Sequence, residues 1–439
     1  MNNDTTRHAF SIRGYIEGFY GEPWTHEQRL EMLRFAASHG ANTWFYAPKD
    51  DPFHRKLWRE LYPPEALARL RELKRTADEN GVAMFWCVAP GLSMRYSDAA
   101  DRAALLDKLR ALYDVGFRDF GLLLDDIPAE LFYPEDRARF GETVEAHIDL
   151  CRDAFARLKA WDASVRLAVC PTQYHGTGAE DYISRLGKAL PEEVLLFFTG
   201  ADICSKELTC REAAIFAEAT GHRPLYWDNY PVNDAEMFKE MHIGPLIGRE
   251  PGLYRYAEGI VSNCMAYCEC GKFALATAFD YLSDPEGYDP EASFDRALTE
   301  LLPDADLREA FVLFADHLRT SCLKDENSRL MGEALGKASL LWETGDLPGA
   351  LAVIADYTAL VHDSAEALKR QKAPLFTELS EWLKKYYLMA EILGDALAVL
   401  RTGRGRDALA AKMKRYNDCA TVLTAFCFRE YVERVLGME

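Results

Sequence analysis

Short apolar runs alternate with longer amphipathic stretches over roughly the first 285 residues. Eight of the runs have the composition and the bounding turn residues of strands. They are GYIEG (14–18), NTWFYA (42–47), VAMFWCVA (82–89), FGLLLD (120–125), RLAVC (166–170), VLLFFT (194–199), PLYWD (224–228) and GIVSN (259–263). The stretches between them, such as HEQRLEMLRFAASHG, repeat apolar residues every three or four positions and end in glycine. Eight βα units predict a (β/α)8 TIM-type barrel rather than an open doubly wound sheet.

The strand pattern stops near residues 284–292, where DPEGYDPEA is dense in proline, glycine and acids. From Ser293 onward the chain is rich in alanine and leucine at helical spacing, which predicts a bundle of roughly five helices. The helical segments are EAFVLFADHLRTSCL, LFTELSEWLKKYYLMAEILGDALAVL and ATVLTAFCFREYVERVL. We therefore predict a barrel over residues 1–285 and a helical domain over residues 286–439. The same helices also suit a dimer interface, so a homodimer stays open.

Composition narrows the classes of partner. The chain has 439 residues, 49% of them hydrophobic, and a formal net charge of -19. This acidic balance lacks the basic footprint of a nucleic-acid-binding protein. The N-terminal segment MNNDTTRHAF is polar, and no window approaches the ~18 apolar residues of a membrane span. We therefore expect a soluble, non-exported protein of the cytoplasm, with neither nucleic acid nor membrane as partner.

Eleven cysteines are scattered along the chain, which suits reduced, packed thiols better than a disulfide framework. Only Cys264, Cys268 and Cys270 are clustered. No fourth cysteine or histidine stands at the spacing of a zinc finger, so we expect no metal site and predict that these thiols pack against the barrel.

Polar side chains follow most of the predicted strands. They occur in residues 17–21, 48–51, 125–126, 171–174 and 227–229, and at Asp234 and Asn263. Active sites of TIM barrels lie at the C-terminal ends of the strands, so these groups should gather at one end. The unusually ionisable stretch YAPKDDPFHRKLWRELYP (46–63) is then a loop on the catalytic face.

Two adjacent carboxylates stand directly after a buried run in LLLDDIP, at Asp125 and Asp126. At a strand end, where the chain turns before Pro128, both side chains can lean towards the barrel axis. Two carboxylates held close together push one towards protonation, which suits a general acid. The same residues also form an acceptable helix start, with an aspartate capping backbone N–H groups. The pair alone leaves both interpretations open.

Three further residues are ambiguous when taken singly. Lys49 suits either a ligand contact or a solvated ion pair of little energetic value. Tyr174 can pack its ring in the core and keep its hydroxyl hydrated. Trp227, followed by Asp228 and Asn229, is typical of a platform for a sugar ring, although tryptophan is also ordinary in a barrel core.

Six motifs taken together point to one family. They are GYIEGFYGEPW, YAPKDDPFHRKLWRELYP, LLLDDI, CPTQYHGTG, TGADICSKE and YWDNYPVND. In this order and spacing they resemble the catalytic domain of glycoside hydrolase family 84, the family of protein O-GlcNAcases and related bacterial β-N-acetylglucosaminidases. The resemblance covers about residues 12–285. It implies a barrel that removes terminal β-linked N-acetylglucosamine from a glycoconjugate or glycopeptide with retention of configuration, and without metal or cofactor.

The resemblance also implies roles for individual residues. In that family the acetamido oxygen of the substrate attacks the anomeric carbon, so the enzyme supplies no nucleophile. By motif match Asp125 orients the acetamido N–H as an anion, and Asp126 protonates the leaving oxygen and later deprotonates water. Tyr174 then hydrogen-bonds the acetamido oxygen, and Cys170 and Trp227 line the pocket for its methyl group. The residues matched to contacts with ring hydroxyls or the acetamido group are Gly18, Lys49, Asn229, Asp234 and Asn263.

Within the opening loop, the resemblance sets Lys49 against the sugar and leaves Asp50, Asp51, His54 and Arg55 to brace the loop. Two alternatives to an exo-acting enzyme stay open. One is a hyaluronidase-type endo-glycosidase, which the predicted lack of export disfavours. The other is a catalytically silent glycan-binding protein, which would have no need of the general acid.

Overall fold

The computed structural model describes residues 9–437 and contains a closed barrel of eight parallel strands. Each strand pairs with the next along the chain, and β8 pairs with β1 to close the barrel. The strands are β1 (Ile12–Glu17), β2 (Thr43–Tyr46), β3 (Ala83–Val88), β4 (Asp119–Leu123), β5 (Arg166–Cys170), β6 (Leu195–Phe198), β7 (Pro224–Asp228) and β8 (Gly259–Asn263). The predicted (β/α)8 architecture is confirmed, and all eight predicted strands are present.

Helices follow the strands, and several begin at caps that the sequence encodes. The side chain of Thr25 accepts a hydrogen bond from the backbone N–H of Gln28, and the backbone N–H of Thr25 donates to the side-chain oxygen of Gln28. Thr209 and Glu212 repeat this capping box. The helices up to residue 283 are α1 (His26–Ser38), α2 (Pro64–Glu79), α3 (Ala99–Val115), α4 (Pro134–Phe140), α5 (Thr143–Trp161), α6 (Asp181–Ala189), α7 (Cys210–Thr220) and α8 (Cys268–Ser283).

The barrel interior is filled by side chains. The rings of Phe45 and Phe85 stack with centroids 4.3 Å apart, and Phe197 meets Phe45 edge-on at 5.0 Å. Because neighbouring residues of a strand face opposite sides, Trp44 lies on the outer face, where it stacks on Tyr15 at 5.7 Å. Both faces of the strands are therefore buried, which explains their nearly continuous apolar runs and leaves the strand ends for chemistry.

Internal contacts divide the chain into two compact units. The first runs to Asp234 and includes Leu246–Cys268 and Leu275–Pro290. The second comprises Ala235–Pro245, Glu269–Ala274 and the residues from Glu291 onward. The two short segments of the second unit come from the stretch that the sequence analysis assigned to the barrel. No helix among residues 9–437 has the length and apolar character to cross a membrane. Most of the N-terminal segment MNNDTTRHAF, on which the predicted cytoplasmic location depends, lies outside the described residues.

The C-terminal region is helical as predicted, but the expected number of helices is wrong. The described residues from 290 onward form α9 (Pro290–Leu301), α10 (Ala305–Ala315), α11 (Arg329–Glu343), α12 (Leu347–Leu368), α13 (Pro374–Glu378), α14 (Ser380–Thr402), α15 (Arg406–Asp418) and α16 (Cys427–Leu436). All three predicted segments continue a helix past its end or across a break. The run at 309–323 is α-helical only as far as Ala315. The run at 375–400 is divided at Leu379, and residues 420–426 are not helical because Thr424 adopts a positive φ of 51°.

His147 in α5 provides a test of the packing around the barrel. Its ring is fully buried, with Nδ1 2.7 Å from the hydroxyl of Tyr182 and Nε2 2.9 Å from that of Tyr96. Burial lowers the pKa of His147 to about 3. The unfolded chain binds a proton below about pH 6.5 while the folded chain stays neutral, so acidification favours unfolding. We expect His147 to account for about 2 kcal/mol of the unfolding free energy lost between about pH 7 and pH 5.

Denaturant titrations of the native protein and of His147→Gln at the two pH values measure this effect. The variant should be less stable at neutral pH and should lose less stability on acidification. His362→Gln, which replaces an exposed histidine, serves as the control and should leave the pH dependence unchanged. The prediction would be contradicted if the native protein and His147→Gln lost the same unfolding free energy on acidification.

Candidate active site

Side chains from six strand ends meet at the C-terminal end of the barrel. The ten residues predicted from the sequence are all found at this end, in the loops or last residues of β1, β2, β4, β5, β7 and β8. They are Gly18, Lys49, Asp125, Asp126, Cys170, Tyr174, Trp227, Asn229, Asp234 and Asn263. Hydrogen bonds and close contacts, described below, link most of them into one group.

Lys49 and Asp125 form a buried ion pair at the centre of this group. The Nζ atom of Lys49 lies 2.7 Å from Oδ2 of Asp125 and 3.8 Å from Oδ2 of Asp126. The side chains of Lys49 and Asp125 are only 4% and 7% exposed, whereas that of Asp126 is 34% exposed. The two adjacent carboxylates therefore occupy different environments, one enclosed and paired and the other open to solvent.

The pair determines the charge state of Asp125. Burial by itself raises the pKa of Asp125, but the charge of Lys49 and its hydrogen bond act in the opposite direction and leave the pKa below its ordinary value. For Lys49, burial lowers the pKa, while Asp125 and neighbouring groups raise it, and the net shift is upward. Asp125 is thus an anion and Lys49 a cation at neutral pH. Lys49, rather than repulsion from Asp126, governs the ionisation of Asp125.

Two buried oxygen atoms of the predicted site residues have no hydrogen-bond partner within the described protein. Oδ1 of Asp125 accepts no hydrogen bond there, and neither does Oδ1 of Asn263. Buried acceptors are normally satisfied, so unsatisfied ones are places where a bound molecule can donate hydrogen bonds. The enclosed anion therefore has one oxygen engaged by Lys49 and one available to a ligand.

Asp126 is held differently. Its oxygens accept hydrogen bonds from two phenols, Tyr20 at 2.8 Å and Tyr174 at 3.0 Å. Its φ is +52°, in the left-handed region that few residues other than glycine adopt. The helix-cap interpretation of the pair is wrong, because the next helix begins at Pro134 with Tyr133 at its N-cap. The backbone turn at Asp126, and not a helix, separates the two carboxylates.

Tyr174 connects the core to the open carboxylate. Its ring packs against the apolar cluster inside the barrel, which includes Cys170 and Trp227, while its hydroxyl donates to Oδ1 of Asp126. Burial, followed by the charge of Asp126, raises the pKa of Tyr174, so the phenol keeps its proton. The hydroxyl predicted to bind an acetamido oxygen is engaged with Asp126 in this structure.

An indole and two amides form one side of the group. Nε1 of Trp227 donates to Oδ1 of Asn229 at 3.1 Å, and Nδ2 of Asn263 donates to the same oxygen at 2.9 Å. A Cβ atom added to Gly18 would lie 2.6 Å from Cζ2 of Trp227, which explains why the chain has glycine at this close approach. Nζ of Lys49 lies 5.7 Å from the centre of the indole ring.

Asp234 fixes the loop that follows β1. Its Oδ2 accepts a hydrogen bond of 2.8 Å from the backbone N–H of Tyr20. Burial raises the pKa of Asp234 above its ordinary value. The loop after β1 is thus tied at its backbone to Asp234 and at the Tyr20 side chain to Asp126.

The ionisable loop after β2 is braced by contacts within the loop and with β2 and β3, and Asp51 and His54 take part as predicted. Asp51 accepts hydrogen bonds from the hydroxyls of Tyr46 and Tyr62 at 3.0 and 2.7 Å. The buried ring of His54 lies with Nδ1 2.8 Å from the carbonyl oxygen of Cys87. Since a carbonyl only accepts, Nδ1 carries the proton, and burial lowers the pKa of His54 to about 4. These contacts hold the backbone that carries Lys49.

Sequence reasoning missed the roles of Tyr20 and Arg55. Tyr20 lies within the quoted motif GYIEGFYGEPW, yet only Gly18 was selected from it. Arg55 was expected to brace its own loop, but it donates to the hydroxyl of Tyr20 at 2.8 Å and to the carbonyl oxygen of Asp126 at 3.3 Å. A conspicuous density of charge after β2 was the available signal, but it does not identify the partners.

Cys264, Cys268 and Cys270 are buried, and all eleven cysteines are free thiols. Over the stretch from residue 9 to residue 437, no three or more histidine, cysteine, aspartate or glutamate side chains are grouped so as to hold a metal ion.

Comparison with known proteins identifies the family. The sequence model of the beta-N-acetylglucosaminidase family matches residues 13–316, which is more than half of the chain. The chain belongs to the beta-N-acetylglucosaminidase family. The resemblance predicted from the six motifs is confirmed, and with it the predicted class of enzyme, a glycoside hydrolase.

Proteins similar to this beta-N-acetylglucosaminidase include two protein O-GlcNAcases and an O-GlcNAc hydrolase of solved structure. Protein O-GlcNAcase of Rattus norvegicus and that of Mus musculus are each 30% identical to the chain over 270 residues. That region is 60% of this chain and 29% of each relative, so the chain spans less than a third of their length. A mutant of the Thermobaculum terrenum O-GlcNAc hydrolase is 31% identical, with a TM-score of 0.92 over 97% of this chain and 94% of the other.

Proposed function

We propose that the chain is a retaining β-N-acetylglucosaminidase of the O-GlcNAcase type, which removes terminal β-linked N-acetylglucosamine by substrate-assisted catalysis. Family membership supports the reaction class. The observation that carries the mechanism is the buried anion Asp125, paired with Lys49 through one oxygen and without a hydrogen-bond partner at the other, beside the more exposed Asp126. Such an anion suits the N–H group of an acetamide, and the exposed carboxyl suits proton exchange with a departing group.

In the first step Asp125 accepts a hydrogen bond from the acetamido N–H, which raises electron density on the acetamido oxygen. That oxygen bonds to the anomeric carbon while the glycosidic C–O bond breaks. Asp126 transfers its proton to the departing oxygen. The product is a bicyclic oxazoline that keeps its N–H and is therefore an oxazolinium cation, whose positive charge lies beside the anionic Asp125.

In the second step the roles of Asp126 are reversed. Its carboxylate removes a proton from water, and the water oxygen bonds to the anomeric carbon as the oxazoline C–O bond breaks. Two displacements at the same carbon give net retention of configuration. The acetamido group is regenerated and Asp126 is again protonated, so no group on the protein is consumed.

The remaining residues are assigned to binding. Cys170 and Trp227, which belong to one apolar cluster, form the floor for the acetamido methyl group. Tyr174 exchanges its hydrogen bond with Asp126 for one with the acetamido oxygen as that oxygen attacks. Contacts with ring hydroxyls and the acetamido group are assigned to Gly18, Lys49, Asn229, Asp234 and Asn263.

Fluorination of the acetamido methyl group tests whether the substrate supplies the nucleophile. Fluorine withdraws electron density from the carbonyl oxygen, so kcat/KM for aryl glycosides should fall progressively through the mono-, di- and trifluoroacetamido substrates, by on the order of 100-fold or more over the series. A thiazoline fused to the pyranose, which mimics the intermediate, should inhibit far more tightly than N-acetylglucosamine binds.

A flat rate series, or a covalent glycosyl-aspartate trapped by a fluorinated sugar, would overturn the mechanism. Binding of N-acetylglucosaminides without any turnover would favour the glycan-binding alternative. Faster cleavage inside hyaluronan than of terminal residues would favour the endo-glycosidase. Activity on glycosylated peptides, compared with chitobiose, identifies the natural class of substrate. The cytoplasmic location and the homodimer stay predictions, and light scattering tests the second.

A further inference from the structure

Arg55 reaches Asp126 by two routes that the proposed mechanism does not use. Its Nη1 atom donates to the hydroxyl of Tyr20 at 2.8 Å, and that hydroxyl donates to Oδ2 of Asp126 at 2.8 Å. Its Nη2 atom donates to the backbone carbonyl of Asp126 at 3.3 Å. One guanidinium therefore contacts the carboxyl through a phenol and the backbone directly.

The direction of these hydrogen bonds is fixed by chemistry. A guanidinium only donates, so the oxygen of Tyr20 accepts from Arg55 and its own hydrogen is left for Asp126. With Tyr174 donating to the other carboxyl oxygen, the rotation of the Asp126 carboxyl is set by one phenol on each side. Arg55 thereby orders the Tyr20 hydroxyl so that it points at Asp126.

The backbone contact acts where Asp126 is unusual. Its φ of +52° is a conformation that persists only when the surroundings hold it. The carbonyl that Arg55 contacts belongs to that residue. Loss of this contact would allow the turn after β4 to relax, and the carboxyl would move with it.

We propose that Arg55 is a positioning residue for the general acid Asp126, acting through the Tyr20 hydroxyl on the side chain and through the carbonyl on the backbone. The proposal rests on the function proposed above, because it presumes that Asp126 exchanges the proton. Arginine is suited to this role, since its planar fork presents two donors at a fixed separation. Lysine has a single charged atom and cannot reproduce both contacts with the same geometry.

The competing explanation is that Arg55 only stabilises its loop. Substrates whose leaving groups differ in their need for a proton distinguish the two explanations. A dinitrophenyl glycoside departs without protonation, whereas a methoxyphenyl glycoside needs the proton of Asp126. Arg55→Met should lower kcat/KM by on the order of 10- to 100-fold for the methoxyphenyl substrate and by less than about 3-fold for the dinitrophenyl substrate. For the methoxyphenyl substrate, kcat/KM of Arg55→Lys should lie between that of the native enzyme and that of Arg55→Met.

Arg59 offers a matched control on the same loop. Its guanidinium pairs with Asp101 and donates to Ser93, with no contact to Asp126 or Tyr20 among its hydrogen bonds. Arg59→Met removes an arginine of the same loop without touching Asp126 or Tyr20. Any change that it causes in kcat/KM should therefore be the same for both substrates. Circular dichroism and thermal unfolding of every variant establish that the compared proteins are folded.

A double variant that combines Arg55→Met with Asp126→Asn tests whether Arg55 acts through Asp126. If Arg55 acts through Asp126, then Arg55→Met should add little to the loss already caused by Asp126→Asn. Tyr20→Phe keeps the ring and removes the relaying hydroxyl, so it should reproduce part of the leaving-group dependence. This variant also serves if Arg55→Met fails to fold. The alkaline limb of the pH–rate profile should move in Arg55→Met for the methoxyphenyl substrate and stay in place in Arg59→Met.

Equal losses on both substrates, or a loss from Arg55→Met that multiplies fully with that from Asp126→Asn, would overturn the proposal and leave Arg55 a loop brace. These outcomes are separate from failure of the proposed function. Turnover by the native enzyme and its sensitivity to acetamido fluorination report on the function alone. A leaving-group dependence absent from Asp126→Asn itself would refute the assignment of the acid.

Discussion

Asp126→Asn is expected to lower kcat/KM for a methoxyphenyl N-acetylglucosaminide by about 100-fold to 10,000-fold, the range attributed to general acid catalysis. The dinitrophenyl substrate should be affected far less, because its leaving group departs without a proton. Asparagine keeps the size of the side chain and an acceptor for Tyr20 or Tyr174, so the turn after β4 should be maintained. Measurement of kcat/KM across aryl leaving groups of graded acidity reports on formation of the oxazoline.

Equal losses across the leaving groups would contradict this role for Asp126. The value of kcat requires separate treatment, because hydrolysis of the oxazoline also uses Asp126, as the base. Activated substrates should therefore show a lower kcat with a nearly unchanged kcat/KM, as expected when the second step becomes limiting.

Asp125→Asn is expected to lower kcat/KM by about 100- to 1,000-fold for every leaving group, similar to the loss of one preorganised electrostatic contact in other enzymes. The cause is loss of the anion that polarises the acetamido N–H and faces the developing positive charge. The change also leaves the buried Lys49 without its partner at 2.7 Å, so the free energy of unfolding should fall by about 3 kcal/mol. Steady-state kinetics with the same graded series and denaturant titrations measure the two effects.

A second substitution separates catalysis from stability in this variant. Lys49→Met added to Asp125→Asn removes the buried charge that has lost its closer partner, so stability should recover in part while activity stays lost. Recovery of activity together with stability would show that Asp125 acts only by neutralising the buried charge of Lys49 and that turnover needs neither side chain. A steep dependence of Asp125→Asn on leaving-group acidity would show that the roles of the two aspartates are reversed.

The barrel was predictable because its strands are buried on both faces. Runs such as FGLLLD (120–125) and VLLFFT (194–199) are short, apolar and separated by amphipathic helices with recognisable caps, and local pattern fixes both properties. The C-terminal helices were less predictable. Apolar spacing continues through residues 375–400 and 420–436, whereas the helices are interrupted at Leu379 and begin only at Cys427. Backbone dihedral angles, which spacing does not report, set those ends.

The members of the candidate site were predictable from motifs at strand ends, but their partners were not. Topology brings the ends of parallel strands together, so Lys49 and Asp125 could be expected near each other although 76 residues separate them. The direction in which each side chain points could not be predicted in this way. The contacts of Arg55 with Tyr20 and Asp126 depend on the positive φ of Asp126 and on loops from three different strands. No period or composition in the sequence encodes that combination.

The packing of Gly18 against Trp227 has a consequence for ligand affinity. The indole is confined by the glycine backbone on one side, by the edge-on ring of Phe197 at 5.4 Å, and by its hydrogen bond to Asn229. A side chain confined in this way gives up its rotamer freedom when the protein folds, and not when a ligand arrives. Ligands that contact the indole therefore bind to a surface that is already ordered, and the entropy that an adaptable tryptophan would lose on association does not reduce their affinity.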